Sequence, residues 1–225
     1  MSEDPAAASD GRPRAERRWT ASAFVLVSMA VPFLLPSRYS PGTDWVLPTI
    51  EGAVLVALIV VDPGRIDRPG RWVRALSIAL VVVIAAGAAW GAARLVWDLL
   101  HGNPQTTEAT ELLISGALVW LQTIIAFAFL YWELDSGGPV NRHLRPRRHP
   151  DLAFPQQLDP SIAAPGWRPI FFDYLYLALT NATAFSPTDV MPLARWAKSA
   201  MAGQSILSIV ILSLVIANAV NLLGG

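Results

Sequence analysis

The chain has 225 residues, of which 53% are hydrophobic and 15% charged, and its 17 Lys and Arg balance 17 Asp and Glu. A soluble domain usually carries about a quarter charged residues, so this composition excludes a wholly dissolved globule. It also contains no cysteine, which excludes a disulfide framework, a thiolate metal site and a thiol nucleophile.

The charges are concentrated in a few short segments that separate long apolar runs, the distribution of a polytopic membrane protein. Residues 1–18, MSEDPAAASDGRPRAERR, read as a disordered cytoplasmic tail. A bilayer core of about 30 Å needs roughly 20 mostly apolar residues in a helix. Five stretches are expected as spans: Thr20–Leu35, Trp45–Val61, Val73–Leu99, Leu112–Trp132 and Arg195–Leu223. The first two are short and contain Pro32 and Pro48, where kinks are expected. A sixth apolar segment, Ile170–Thr183, is too short for a comfortable crossing. The expected fold is therefore an all-α polytopic membrane helix bundle, with five full spans and one short helix before the last. Its parts are a four-span portion (19–135), an Arg/Pro-rich cytoplasmic linker (136–168) and a helical pair (169–225).

Arginine placement orients the chain. Arg12, Arg14, Arg17 and Arg18 lie in the tail, and Arg65, Arg68, Arg71 and Arg74 lie in the second connection. Arg142, Arg145, Arg147 and Arg148 lie in the linker, whereas HGNPQTTEAT, after the third span, carries no Lys or Arg. By the positive-inside rule the tail, the second connection and the linker are expected on the cytoplasmic side. Trp19, Trp45, Trp72, Trp97, Trp132 and Trp167 fall near the expected interfaces.

Chemistry is sparse. His143, His149 and Asp151 could be drawn as metal ligands, but no cysteine or carboxylate cluster completes the set, so solvated loop histidines are expected and no metal or cofactor. Every His lies in a connection, so no Ser/His/Asp set can be assembled and no enzyme activity is expected. No nucleic-acid partner is expected either; the one sure partner is the lipid bilayer. Glu51 and Arg94 are the charges inside spans, and both fall in the outer half under this orientation. An isolated charge there is costly, so they are expected to form an ion pair, with Asp98 helping; a proton or ion relay is the alternative. Gln122 is expected to bond between helices.

The segment YLALTNATAFSPTDVMP (Tyr176–Pro192) carries the remaining polar groups: Thr180, Asn181, Thr183, Ser186, Thr188 and Asp189. Asp173 suits the start of a helix, Ser186-Pro187 would end it, and Asp189 with Pro192 would open the next. On the last helix Gln204, Ser208 and Asn218 fall within about 40° of one face, with Ile211 and Val215 between them. Such a face suits either a pore with an apolar constriction or helix packing through Ser and Asn.

This half-helix, turn and long helix resembles the pore hairpin of potassium channels. Thr183 matches the first Thr of that family's paired threonines, and Asp189 and Pro192 match its closing Asp and Pro. Ala184 stands for the second Thr, Ser186 and Thr188 for the two glycines, and Pro187 for the Tyr, so the filter backbone is degenerate. More broadly, YWELDSGGP (Tyr131–Pro139) and DYLYLALTNATAFSPTDVMPLAR resemble a group of uncharacterised bacterial integral membrane proteins, a likeness that covers roughly the last hundred residues and implies no activity. The pore resemblance implies a channel-like or transport-related protein built of several copies around an axis; the other reading is a non-conducting scaffold or accessory subunit. A linker on the cytoplasmic side leaves two topologies for 170–185. A complete crossing is the expectation, giving six helices and both termini inside; the alternative is a dip that returns to the cytoplasm, as Arg195 and Lys198 favour.

Overall fold

The structure, a computed structural model, describes residues 19–36, 39, 45–61, 70–101, 109–144, 149–184 and 189–224. The expected tail (1–18) and Arg65, Arg68, Arg145, Arg147 and Arg148 lie outside the described residues.

Four helices come first: α1 (Trp19–Leu34), α2 (Val46–Val61), α3 (Arg71–His101) and α4 (Ala109–Leu134). Helices α3 and α4, with the last helix α8 (Arg195–Gly224), are long and apolar enough to cross a bilayer. Five full spans were expected, but α1 and α2 have 16 residues each and reach only about 24 Å. Pro32 lies inside α1 in its last turn, and Pro48 in the first turn of α2, where a missing N–H leaves no carbonyl unpaired.

At the end of α4 the sequence Asp135-Ser136-Gly137-Gly138 takes three successive positive φ angles, 53°, 81° and 95°. Gly138 needs its glycine twice over: an added Cβ would also sit 2.9 Å from Nη1 of Arg74 and 3.1 Å from the Glu133 carbonyl. The 136–168 segment, expected as a linker without periodic structure, holds α5 (Pro139–Leu144), β1 (Leu152–Ala153) and the single turn α6 (Pro155–Leu158). The half-length helix α7 (Phe171–Ala184) then precedes β2 (Met191–Pro192) and α8.

Strands β1 and β2 pair antiparallel, Leu152 with Pro192 and Ala153 with Met191. Pro192 and Asp189 therefore do not open the last helix as expected. The carbonyl of Asp151 accepts from Leu193 N (2.9 Å) and Ala194 N (3.2 Å), and this turn delays the helix to Arg195.

The pairing also fixes the direction of α7. Its first turn packs at the arginine-rich end of the bundle, where the Phe171 ring lies 4.5 Å from Phe129, 5.6 Å from Phe24 and 5.7 Å from Trp132. The start of α8 is tied through Asp151 to the same end, because Asp151 Oδ2 accepts from Ser136 N at 2.9 Å. Helices α7 and α8 thus both start at this end. Six residues, 185–190, separate the end of α7 from β2, a distance of at most about 25 Å of chain. A complete crossing by 170–185 was expected to start α8 from the opposite end, whereas the start of α8 lies near that of α7.

The core joins α4 to everything else. Phe129, Tyr131, Phe171, Tyr174 and Leu177 are fully buried in one cluster, and Leu95, Leu112, Ile211 and Val215 in a second near the far end. Helices α4 and α8 approach closely at Gly116, where an added Cβ would meet the two Val215 methyls at 2.7 and 2.8 Å. Gly116→Leu is expected to lower stability by about 1–3 kcal/mol through overpacking. Thermal unfolding in detergent checks this, and the double variant with Val215→Ala should recover much of the loss.

Candidate functional site

Helix α7 begins with a capping arrangement written in its sequence. Asp173, its third residue, accepts from Ile170 N at 2.7 Å and so satisfies the N–H that precedes the helix. From there the helix turns Tyr174, Leu177, Ala178, Asn181 and Ala182 inward, a 3- and 4-residue spacing that buries all five.

Asn181, 1% exposed, sits beside the first half of α8. Its Nδ2 donates to the Met201 carbonyl (3.0 Å) and to Gln204 Oε1 (2.9 Å). The Ser205 hydroxyl donates back to Asn181 Oδ1 and to its carbonyl, both at 3.3 Å. Gln204 is the hub: its Oε1 also accepts from the Tyr131 hydroxyl (2.7 Å), and its Nε2 donates to the Ala178 carbonyl (2.7 Å). One buried amide thus binds α4, α7 and α8 together.

The other residues of the turn behave differently. Thr180 and Thr183 donate along their own helix, Thr180 to Tyr176 and Leu177 carbonyls and Thr183 to Leu179 and Thr180 carbonyls. Thr183 and Asp189 are exposed, and Ser186 and Thr188 lie outside the described residues. On α8, Ser208 is buried and its Oγ has no hydrogen-bond partner. Asn218 is half-buried and donates to the Leu214 carbonyl of its own helix. Gln204, Ser208, Ile211 and Val215 share the face that packs inward.

Glu51 and Arg94 are not brought together, a correction to the expected pair. Arg94 lies 3.8 Å from Asp98 one turn along α3 and stays 41% exposed, as a long side chain near a helix end does when it reaches toward water. Glu51 is 1% exposed and hydrogen-bonds Ser28, which also accepts from Gln122 Nε2 at 2.7 Å. The other carboxyl oxygen, Oε2, has no hydrogen-bond partner, and Glu51 is among the residues lining a cavity of about 20 Å³. Gln122 does bond between helices, linking α4 to α1.

The densest polar cluster is one that the sequence reading missed. Asp135, fully buried, accepts at Oδ2 from the Tyr174 hydroxyl (2.5 Å). At Oδ1 it accepts from Ser136 Oγ (3.1 Å), Asp151 N (3.2 Å) and Leu152 N (3.2 Å). Arg142 donates to the Trp132 and Asp135 carbonyls, and Arg74 to that of Gly137. An acid followed by Ser-Gly-Gly-Pro at the end of an apolar helix was the available signal. Outside the helices, Asp159 is exposed and held below the usual carboxylate range by the Ser161 hydroxyl and then its amide. Among the described residues no three His, Cys, Asp or Glu side chains gather as metal ligands.

No protein-family model, curated protein or solved structure matches the chain.

Proposed function

We propose that this is an integral membrane protein of the channel-like or transport-related class, in which α7 is a re-entrant half-helix and α8 the span behind it. The observation that carries the reading is the shared starting point of α7 and α8. Tyr174 is anchored to Asp135, Leu193 and Ala194 to Asp151, and α7 ends beside the first half of α8. A chain that enters a bilayer as half a helix and leaves by the same face leaves backbone at membrane depth. Such backbone persists only inside protein or beside a water-filled path, and it marks the working region of channels and transporters. Helix α7 turns its C-terminal, electronegative end inward, so a cation is the favoured species. On this reading Asn181 and Gln204 hold the half-helix in register, while Thr183 and Asp189 face a neighbouring copy or the path.

The chain's lack of cysteine makes a labelling test direct. With the arginine-rich end facing the cytoplasm, Asp189→Cys should react with an impermeant thiol reagent only from that side, and a reporter after Gly225 should read external. Labelling of Asp189→Cys from outside with a cytoplasmic reporter rejects the re-entrant reading.

A second reading, a non-conducting scaffold or accessory subunit, is favoured by the closure of the Tyr131–Gln204–Asn181 network, which packing alone would also demand. Cation flux into proteoliposomes separates the two. Flux lost in Asn181→Leu, with the fold intact, supports transport; no flux in the unaltered chain supports the scaffold.

A further inference from the structure

Away from the hairpin, residues 150–169 and the Asp135 turn enclose a cavity of about 400 Å³. Its wall carries Arg142, Arg168, Ser136, Gln156 and Gln157 among prolines and apolar residues, with no carboxylate among the described residues that line it. Arg142 is 7% exposed, an unusual depth for a guanidinium. Its Nη1 donates to the carbonyls of Trp132 (2.6 Å) and Asp135 (2.9 Å), and its Cζ lies 4.8 Å over the Tyr174 ring. Its Nη2 is buried with no hydrogen-bond partner. The Asp135 carboxylate does not fill that gap, because its oxygens receive Tyr174, Ser136 and the amides of Asp151 and Leu152. Arg168 is oriented on the same wall by donating to the Arg142 and His143 carbonyls. Of the other acids next to wall residues in sequence, Asp151 accepts from Ser136 N and Asp159 from the Ser161 amide and hydroxyl.

A buried guanidinium charge satisfied only by neutral carbonyls is costly, and an anion in the adjoining cavity would lower that cost. We propose that this cavity binds a phosphate group, held by Arg142 and Arg168 with Ser136 and Gln156 as neutral donors. The Arg168 guanidinium suits the oxygens of a phosphate, Arg142 adds its charge from within the wall, and the volume lies within the roughly 300–1,000 Å³ of small-molecule sites. The cavity lies at the end of the bundle that carries Arg71, Trp72 and Arg74, with Trp167 on its wall. There a phospholipid headgroup and a free phosphate-bearing solute are both within reach.

The full chain is placed in nanodiscs of zwitterionic lipid and titrated with inorganic phosphate. In parallel, nanodiscs of mixed phosphatidylcholine and phosphatidylglycerol are compared for the lipid retained by native mass spectrometry. Ala164→Glu and Gln156→Glu place a carboxylate on the wall without touching the Asp135 turn. The unaltered chain should bind phosphate or preferentially retain the anionic lipid. Either variant should weaken that binding about tenfold, the worth of one charge-assisted hydrogen bond, with an unchanged unfolding midpoint. Saturable phosphate binding alone assigns a soluble ligand, and retention of phosphatidylglycerol alone assigns a headgroup. Equal retention of both lipids without phosphate binding overturns the proposal, as does binding that survives both variants.

Discussion

Asp135→Ala is expected to be the most damaging single substitution in the protein. The carboxylate serves two backbone amides that no side chain replaces, Asp151 N and Leu152 N, and the buried Tyr174 hydroxyl. Three stranded donors at about 1–3 kcal/mol each put the loss on the order of 5 kcal/mol, enough to unfold many domains of this size. Asp135→Asn should cost less, because one oxygen remains, but its amide would then face donors. Tyr174→Phe, which takes from Asp135 Oδ2 its hydroxyl donor, should cost about 2 kcal/mol. Denaturant unfolding in detergent micelles gives the order Ala, Asn, then Tyr174→Phe. Amide exchange at Asp151 and Leu152 locates the effect, since both should lose protection in Asp135→Ala before the α3–α4 core does. An unchanged midpoint in Asp135→Ala would mean that the turn does not anchor the hairpin, and the shared origin of α7 and α8 would lose its physical basis.

This turn also marks where the sequence stopped being legible. Helices are written in apolar runs and their breaks, so α1–α4, α7 and α8 fall within a few residues of the expected ranges. The direction of α7 is not written that way. Fourteen residues are too few to decide between crossing and returning by length, and the deciding contacts join Asp151 to Leu193 and Ala194, about forty positions apart. Backbone-to-backbone pairing over that separation has no periodicity to read. Arg195 and Lys198 favoured a return by charge, and α8 begins near the start of α7. The Glu51–Arg94 pairing failed for a different reason. Two charges at similar depth were matched by sign, but helical phase turns Glu51 toward Ser28 and Gln122, while Arg94 has an acid four residues along its own helix. Of the candidate site, Asn181 and Gln204 were found by being polar in apolar helices. Tyr131, their third partner, was passed over because tyrosine counts as an interface residue until its hydroxyl is seen pointing inward.

The Asn181–Gln204 pair yields the sharpest test of how the half-helix is held. Gln204→Leu removes the acceptor for both Asn181 and Tyr131 and the donor to Ala178, leaving two buried donors unmatched. Its expected cost is about 2–3 kcal/mol, at the upper end of interhelical hydrogen bonding in membranes because donors are left stranded as well as a bond lost. Asn181→Leu should cost about 1–2 kcal/mol, since Gln204 keeps Tyr131 and Ala178. The double variant should cost less than the sum by about 1 kcal/mol, because the bond that both residues share is lost only once. Unfolding midpoints of the two single variants and the double measure that coupling. Additive losses would mean that the amides do not meet, and α7 would then be free to shift along α8. The same variants bear on function through a separate quantity. If α7 must present its C-terminal end at a fixed depth, the substituted proteins should lose cation flux out of proportion to stability. A shift of one helical turn moves that end by about 5 Å, far more than a half-hydrated cation tolerates at its site. Stability loss without any change in flux would place the network on the side of packing alone.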